Sequence, residues 1–160
     1  MDPETVRFIS PRKKIVFLVI IGLVLIIVGA RFFGFKSNLT KVKIGNHILA
    51  VEIAKTEAEQ QQGLSGRDFL APNQGMLFWY PTKVLPGFWM KDMKFALDFI
   101  WVADGVVVEL AQNIEPPPVG LMDKNLAIYR PGVLVNWVIE VPAGWVATNQ
   151  IKIGDLVILK

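Results

Sequence analysis

The apolar positions of this chain fall into two regimes, one continuous block near the start and a long series of short alternating runs after it. Ile15 to Ala30 reads IVFLVIIGLVLIIVGA, sixteen residues without a charge. The stretch Arg31 to Phe35 extends it to about twenty if the arginine snorkels, which is enough to cross a bilayer. A polar face is missing, so a buried core helix accounts for the block poorly. The pattern predicts a single transmembrane helix over residues 15–35, preceded by a basic N-terminus over 1–14.

Beyond a short polar linker (36–40), the period changes to two. Lys41 to Ile44 and His47 to Ala54 flank Gly45-Asn46, a two-residue turn that calls for positive φ. Thr56 to Glu59 fits a capping box and Gly63 is placed to stop the helix, so Glu57 to Gln62 is read as one or two helical turns. Gly75 to Tyr80, Gly87 to Lys91, Phe95 to Ala103, Val106 to Ala111 and Val133 to Val141 follow as strands bounded by Gly, Pro or Asp-Gly. Ile151 to Lys160 turns at Gly154-Asp155 and ends in a last strand. About eight short strands with one short helix predict a mainly β domain over 41–160, an antiparallel sandwich or partly closed barrel.

Charge changes this picture in two ways. Arg7, Arg12, Lys13 and Lys14 precede the apolar block, while Arg31 and Lys36 follow it, so the cation bias keeps the N-terminus in the cytoplasm. The β domain is then extracytoplasmic. A cleaved signal peptide cut after Val28-Gly29-Ala30 is the rival reading, and it would release the domain as a secreted protein. The formal net charge of +3 belongs to the first 35 residues, because residues 36–160 hold 12 basic and 12 acidic side chains. A neutral domain offers no electrostatic footprint for nucleic acid.

Candidate chemistry is sparse. The chain has no cysteine and one histidine, His47, so no thiol catalysis and no multi-histidine metal site is expected, and no cofactor is called for. A Ser-His-Asp set would need Ser37 or Ser65 beside His47, without a nucleophile-elbow pattern, and Gly63 to Gly66 lacks the lysine of a phosphate loop. Asp98 and Glu140 stand out because each interrupts an apolar strand. A buried carboxylate must be paired, hydrogen-bonded or protonated. Arg67 and Lys91 are the candidate partners, with Arg67 forking onto a carboxylate to pin the helix-to-loop segment. Two other readings stay open: Asp98 and Glu140 as a general acid/base pair, or a polar ligand site without chemistry. Of the aromatic residues, Trp89 joins this candidate site, and Trp145, following Ala143-Gly144 in a turn, is expected at the surface.

Five blocks in order carry a resemblance: Gly63 to Arg67 (GLSGR), Gly75 to Phe78 (GMLF), Phe88 to Lys91 (FWMK), Leu97 to Ile100 (LDFI) and Glu140 to Gly144 (EVPAG). Together they resemble the DUF192 family from about Val42 to Leu159. The resemblance implies an all-β, sandwich-like domain, often behind a signal or anchor segment, in a family without an established biochemical role. The chain departs from the family pattern at Asp92-Met93, where Asn-Thr is more usual, and at Ala96, where proline is frequent. The expected function is a non-catalytic binding or assembly module for an envelope glycan or a membrane-protein partner. The alternative is a hydrolase of envelope polymers using Asp98 and Glu140.

Overall fold

The computed structural model describes residues 39–160. The apolar block 15–35, its orientation and the cut after Ala30 lie outside the described residues. Among the described residues, no helix is long and apolar enough to cross a membrane.

Strands β1 (Thr40–Ile44) and β2 (His47–Ala54) form the first hairpin, paired from Thr40↔Val51 to Ile44↔His47. Gly45 takes φ 55° at its turn, which a residue without Cβ adopts readily. Helix α1 (Glu57–Gln62) starts at Thr56 with a complete capping box. The Thr56 hydroxyl accepts from the Glu59 N–H at 3.2 Å, and the Glu59 carboxylate accepts from the Thr56 N–H at 2.9 Å. These backbone hydrogen bonds hold the Glu59 carboxyl below its ordinary pKa. Strands β3 (Gln74–Val84), β4 (Leu97–Ala103), β5 (Val106–Ile114) and β6 (Val135–Pro142) follow, then helix α2 (Trp145–Thr148) and strand β7 (Val157–Leu159).

The seven strands make one sheet in the order β5-β4-β6-β3-β2-β1-β7. All neighbours are antiparallel except β2 and β3, which run parallel from Ala50↔Gln74 to Ala54↔Phe78. That pair departs from the all-antiparallel expectation for a physical reason. Residues 55–73, with α1 inside them, are long enough for the crossover that parallel strands need. The sheet curls into a half-barrel, and its outer strands meet at one end. Val107 N–H donates to the Asp155 carbonyl at 2.9 Å, Gly154 N–H to Val107 at 2.8 Å and Val157 N–H to Gly105 at 2.8 Å. A partly closed barrel, rather than two packed sheets, is therefore the architecture.

Alternation along the strands divides the core between the two faces of this sheet. Leu49, Val51, Leu77, Ile100, Val102, Ile139 and Val141 pack on one side with α2. Met76, Phe78, Leu97, Phe99, Trp101 and Val138 pack on the other beneath Leu64, Phe88 and Met90. With both faces covered, β4 is buried from Leu97 through Val102, which explains its unbroken apolar run. Gly75 permits the closest backbone approach: a Cβ there would stand 2.5 Å from the Glu140 carbonyl oxygen of β6.

Two sequence expectations are corrected here. Gly87 to Lys91 forms no strand and makes only an isolated bridge, Phe88↔Tyr129. Trp145 is buried, 6% exposed, because Gly144 at φ 81° turns the chain so that α2 lays Trp145 and Val146 into the core.

A candidate pocket around Glu140

Asp98 and Glu140 sit on adjacent strands but serve different faces. The register pairs Asp98 with Val141 and Phe99 with Glu140, an offset of one residue. Successive side chains of a strand point to opposite sides. Asp98 thus shares the side of Ile100 and Val102, and Glu140 the side of Phe99 and Val138.

Asp98 is fully buried, with both carboxylate oxygens committed. One accepts from the Val146 N–H at 3.0 Å, near the start of α2, and the other from the Asn113 N–H at 2.8 Å. Asn113 has φ 53°, and the β4–β5 ladder shifts register beside it. The carboxylate therefore fastens an irregular strand end to a helix that is too short to hold itself.

Arg67 forks onto a carboxylate, but the carboxylate is Glu52 of β2 rather than Asp98 or Glu140. Its two terminal nitrogens donate to the two Glu52 oxygens at 2.5 and 2.8 Å. These hydrogen bonds raise the Arg67 pKa above its ordinary value. Lys91 pairs with Asp123 instead, and that contact raises its pKa. Glu52 escaped the sequence reading, although it is the only acidic residue between Lys36 and Thr56. Among the described residues, no group of three or more His, Asp or Glu side chains is placed to hold a metal ion. His47 meets the edge of the Trp145 ring, centroids 6.4 Å apart.

Glu140 is 5% exposed, and its carboxyl group hydrogen-bonds no other described residue. That group faces the pocket, whereas the fully buried side-chain polar atoms left without a partner among the described residues are the indole nitrogens of Trp101 and Trp145. Burial pushes its pKa from the ordinary 4.5 up to about 8, with the Arg67 charge pulling the other way. It lines a pocket of about 240 Å³ between α1, β3, β6 and the 87–93 segment. Phe78, Tyr80, Phe88 and Trp89 supply aromatic wall, and Trp89 is half-exposed. Burial, and then the charge of Glu140, pushes the Tyr80 phenol up to about 12. The polar wall comes from α1. Gln60 anchors that helix by donating its amide to the carbonyls of Trp79 at 2.8 Å and Ala54 at 3.3 Å. Ser65 donates to the Lys91 carbonyl at 2.8 Å, and Gly66 N–H to the Asp92 carbonyl at 2.9 Å, tying the two loops that close the pocket. Asp92 holds φ 55°, a conformation that asparagine also tolerates.

The DUF192 family model, described as "Uncharacterized ACR", matches residues 40–159. The chain belongs to the DUF192 family. No curated protein matches it significantly. Solved structures similar to it include the following two. A proposed transcription regulator from Sinorhizobium meliloti 1021 is 27% identical with a TM-score of 0.70, covering 78% of this chain and 96% of that one. A protein of unknown function from Novosphingobium aromaticivorans DSM 12444 is 29% identical with a TM-score of 0.67, covering 75% of this chain and 84% of that one.

Four of the five DUF192 blocks in this chain reach the pocket, through Gly63 to Ser65, Phe78, Phe88 with Trp89, and Glu140. The fifth holds Asp98 on the opposite face. The departure from the DUF192 pattern at Met93 falls in the pocket wall, where a thioether stands in place of the more usual hydroxyl. Of the residues singled out in the sequence, Trp89 and Glu140 meet in this pocket, whereas Arg67, Lys91, Asp98 and Trp145 do not line it.

Proposed function

We propose that this DUF192 domain is a non-catalytic binding module, held at the outer face of a membrane by residues 15–35, whose ligand seats in the Glu140 pocket. One observation carries the reading: an almost wholly buried carboxyl group without a hydrogen-bond partner, opening into a pocket that four of the family's sequence blocks help to line. An unpaired buried polar group is costly, and a ligand that satisfies it recovers that free energy. The volume of about 240 Å³ lies below the roughly 300–1,000 Å³ of drug-sized pockets. It suits one monomer of an envelope glycan or a single side chain of a membrane-protein partner.

A hydrolytic carboxylate pair needs both groups in one cleft. Asp98, with two backbone N–H groups on its oxygens, gives that alternative no support. Calorimetry of the full-length protein against envelope glycan fragments and peptides tests the binding reading. Binding that weakens in Glu140→Gln, with folding intact, is the expected result; binding unaffected by that change would remove the pocket from the account. The location is tested separately by protease protection of the full chain in intact cells. Protection of the β domain on the cytoplasmic side would exclude an extracytoplasmic role.

A further inference from the structure

The charged groups that line the pocket are one-sided. Ser65 donates its hydroxyl proton to Lys91, and the amides of Gln60, Gln61 and Gln62 all donate within the protein. Two carboxyl groups, Glu57 and Glu140, line the pocket, and no Lys, Arg or His does. An anionic ligand would find no basic side chain on the lining, and like charge wherever Glu57 or Glu140 is ionised. A ligand carrying positive charge would meet a carboxylate and aromatic rings, the combination that binds ammonium groups.

We infer that the pocket selects a small organic ammonium group, alkylated or quaternary, seated between the Glu140 carboxylate and the rings of Tyr80 and Trp89. This rests on the binding reading above and deepens it: the glycan monomer or partner side chain must carry an amine. The apolar wall formed by Phe78, Phe88 and Met93 accommodates the carbon substituents of such a group.

Proton balance follows. Burial raises the Glu140 pKa to about 8, which favours the neutral acid near pH 7 when no cation is bound. Binding of a cation favours the ionised form, and the carboxyl proton leaves to solvent. The charged and titratable groups around it are Tyr80 of β3, Glu57 of α1, and Arg67, which is already paired with Glu52. Lys91, on the 87–93 segment, is engaged by Asp123. None supplies a cation that would pre-empt the ligand.

The test is calorimetry of the full-length protein in a polyoxyethylene detergent, titrated with choline or n-propylammonium. Their uncharged counterparts, 3,3-dimethylbutan-1-ol and 1-propanol, are the controls. The cations are expected to bind and the neutral compounds to fail. Affinity should rise by about tenfold per pH unit below about pH 8 and level off above it, with a proton released per ligand. Glu140→Gln should weaken cation binding by about thirtyfold or more. Trp89→Ala, at a half-exposed position that leaves the core intact, should weaken it by about threefold to tenfold. Equal binding of charged and neutral compounds, or cation binding indifferent to both variants, would overturn the inference. If uncharged glycan fragments bind in a Glu140-dependent way while both cations fail, the ammonium inference falls and the binding module stands. Failure of cations, fragments and peptides alike defeats both.

Discussion

Glu140 and Asp98 show how two carboxyl groups in apolar strands can have opposite energetic signs. Asp98 satisfies two backbone donors, so Asp98→Ala should cost about 2–5 kcal/mol by stranding both of them in the core, measurable by urea denaturation. Glu140 opposes folding instead. Its pKa rises on folding from 4.5 to about 8, so the native state keeps a proton that the unfolded chain gives up across that window. The contribution of Glu140 therefore falls as pH rises from about 4.5, by about 1.4 kcal/mol per unit, and levels off above about 8. Glu140→Gln should gain stability relative to the native protein over this window, by several kcal/mol at its alkaline end. A difference that stayed constant from about pH 5 to pH 9 in urea titrations would contradict the buried titration. Arg67→Gln should push the Glu140 titration higher still, observable as a shifted carboxyl carbon resonance in NMR, because the nearby positive charge is lost. That both acids were special was legible from their apolar surroundings. Their separation was not, because one residue of register between β4 and β6 decides which face each serves, and nothing local encodes that pairing. Glu52 was hidden for a related reason: it sits part-buried at an ordinary alternating position of a hairpin, and its partner is fifteen residues away in a loop.

At the scale of elements, local signals were the readable ones. The Gly45-Asn46 and Asp104-Gly105 turns, the capping box and Gly63 act through neighbours in sequence, and the hairpins and α1 stand where they were expected. The Gly87 to Lys91 run looked like a strand because it is apolar, yet its burial comes from covering the sheet rather than extending it. Helix α2 was missed because its four residues begin after a left-handed glycine and depend on Asp98 from another strand. Two element-level variants follow. Thr56→Ala should cost about 1 kcal/mol of stability and loosen the α1 wall of the pocket, lowering ligand affinity as well as the melting temperature. Gly75→Ala should destabilise by about 1–3 kcal/mol, because the added Cβ meets β6 backbone at 2.5 Å and a backbone carbonyl cannot rotate out of the way. A melting temperature equal to that of the native protein would show that β3 can retreat.

Over the whole molecule, charge is divided unevenly, with the formal net charge of +3 lying in the first 35 residues. The twelve basic and twelve acidic side chains of residues 36–160 keep the domain electrically neutral, so any cation preference belongs to the pocket rather than to a general field. Raising salt from about 0.1 to 0.5 M should accordingly weaken ammonium binding only modestly, since a buried pair is screened less than a surface one. A steep salt dependence would point to diffuse surface attraction.

Strand β1 lies between β2 and β7, and the hydrogen bonds that draw the rim of the half-barrel together come from residues 154–157. A chain that emerges N-terminus first therefore carries its opening strand with one flank unpaired until the final stretch is released. Synthesis must finish before the structure can lock. A ribosome stalled shortly before codon 154 should hold a protease-sensitive nascent domain, and one stalled beyond residue 160 with enough spacer a resistant one.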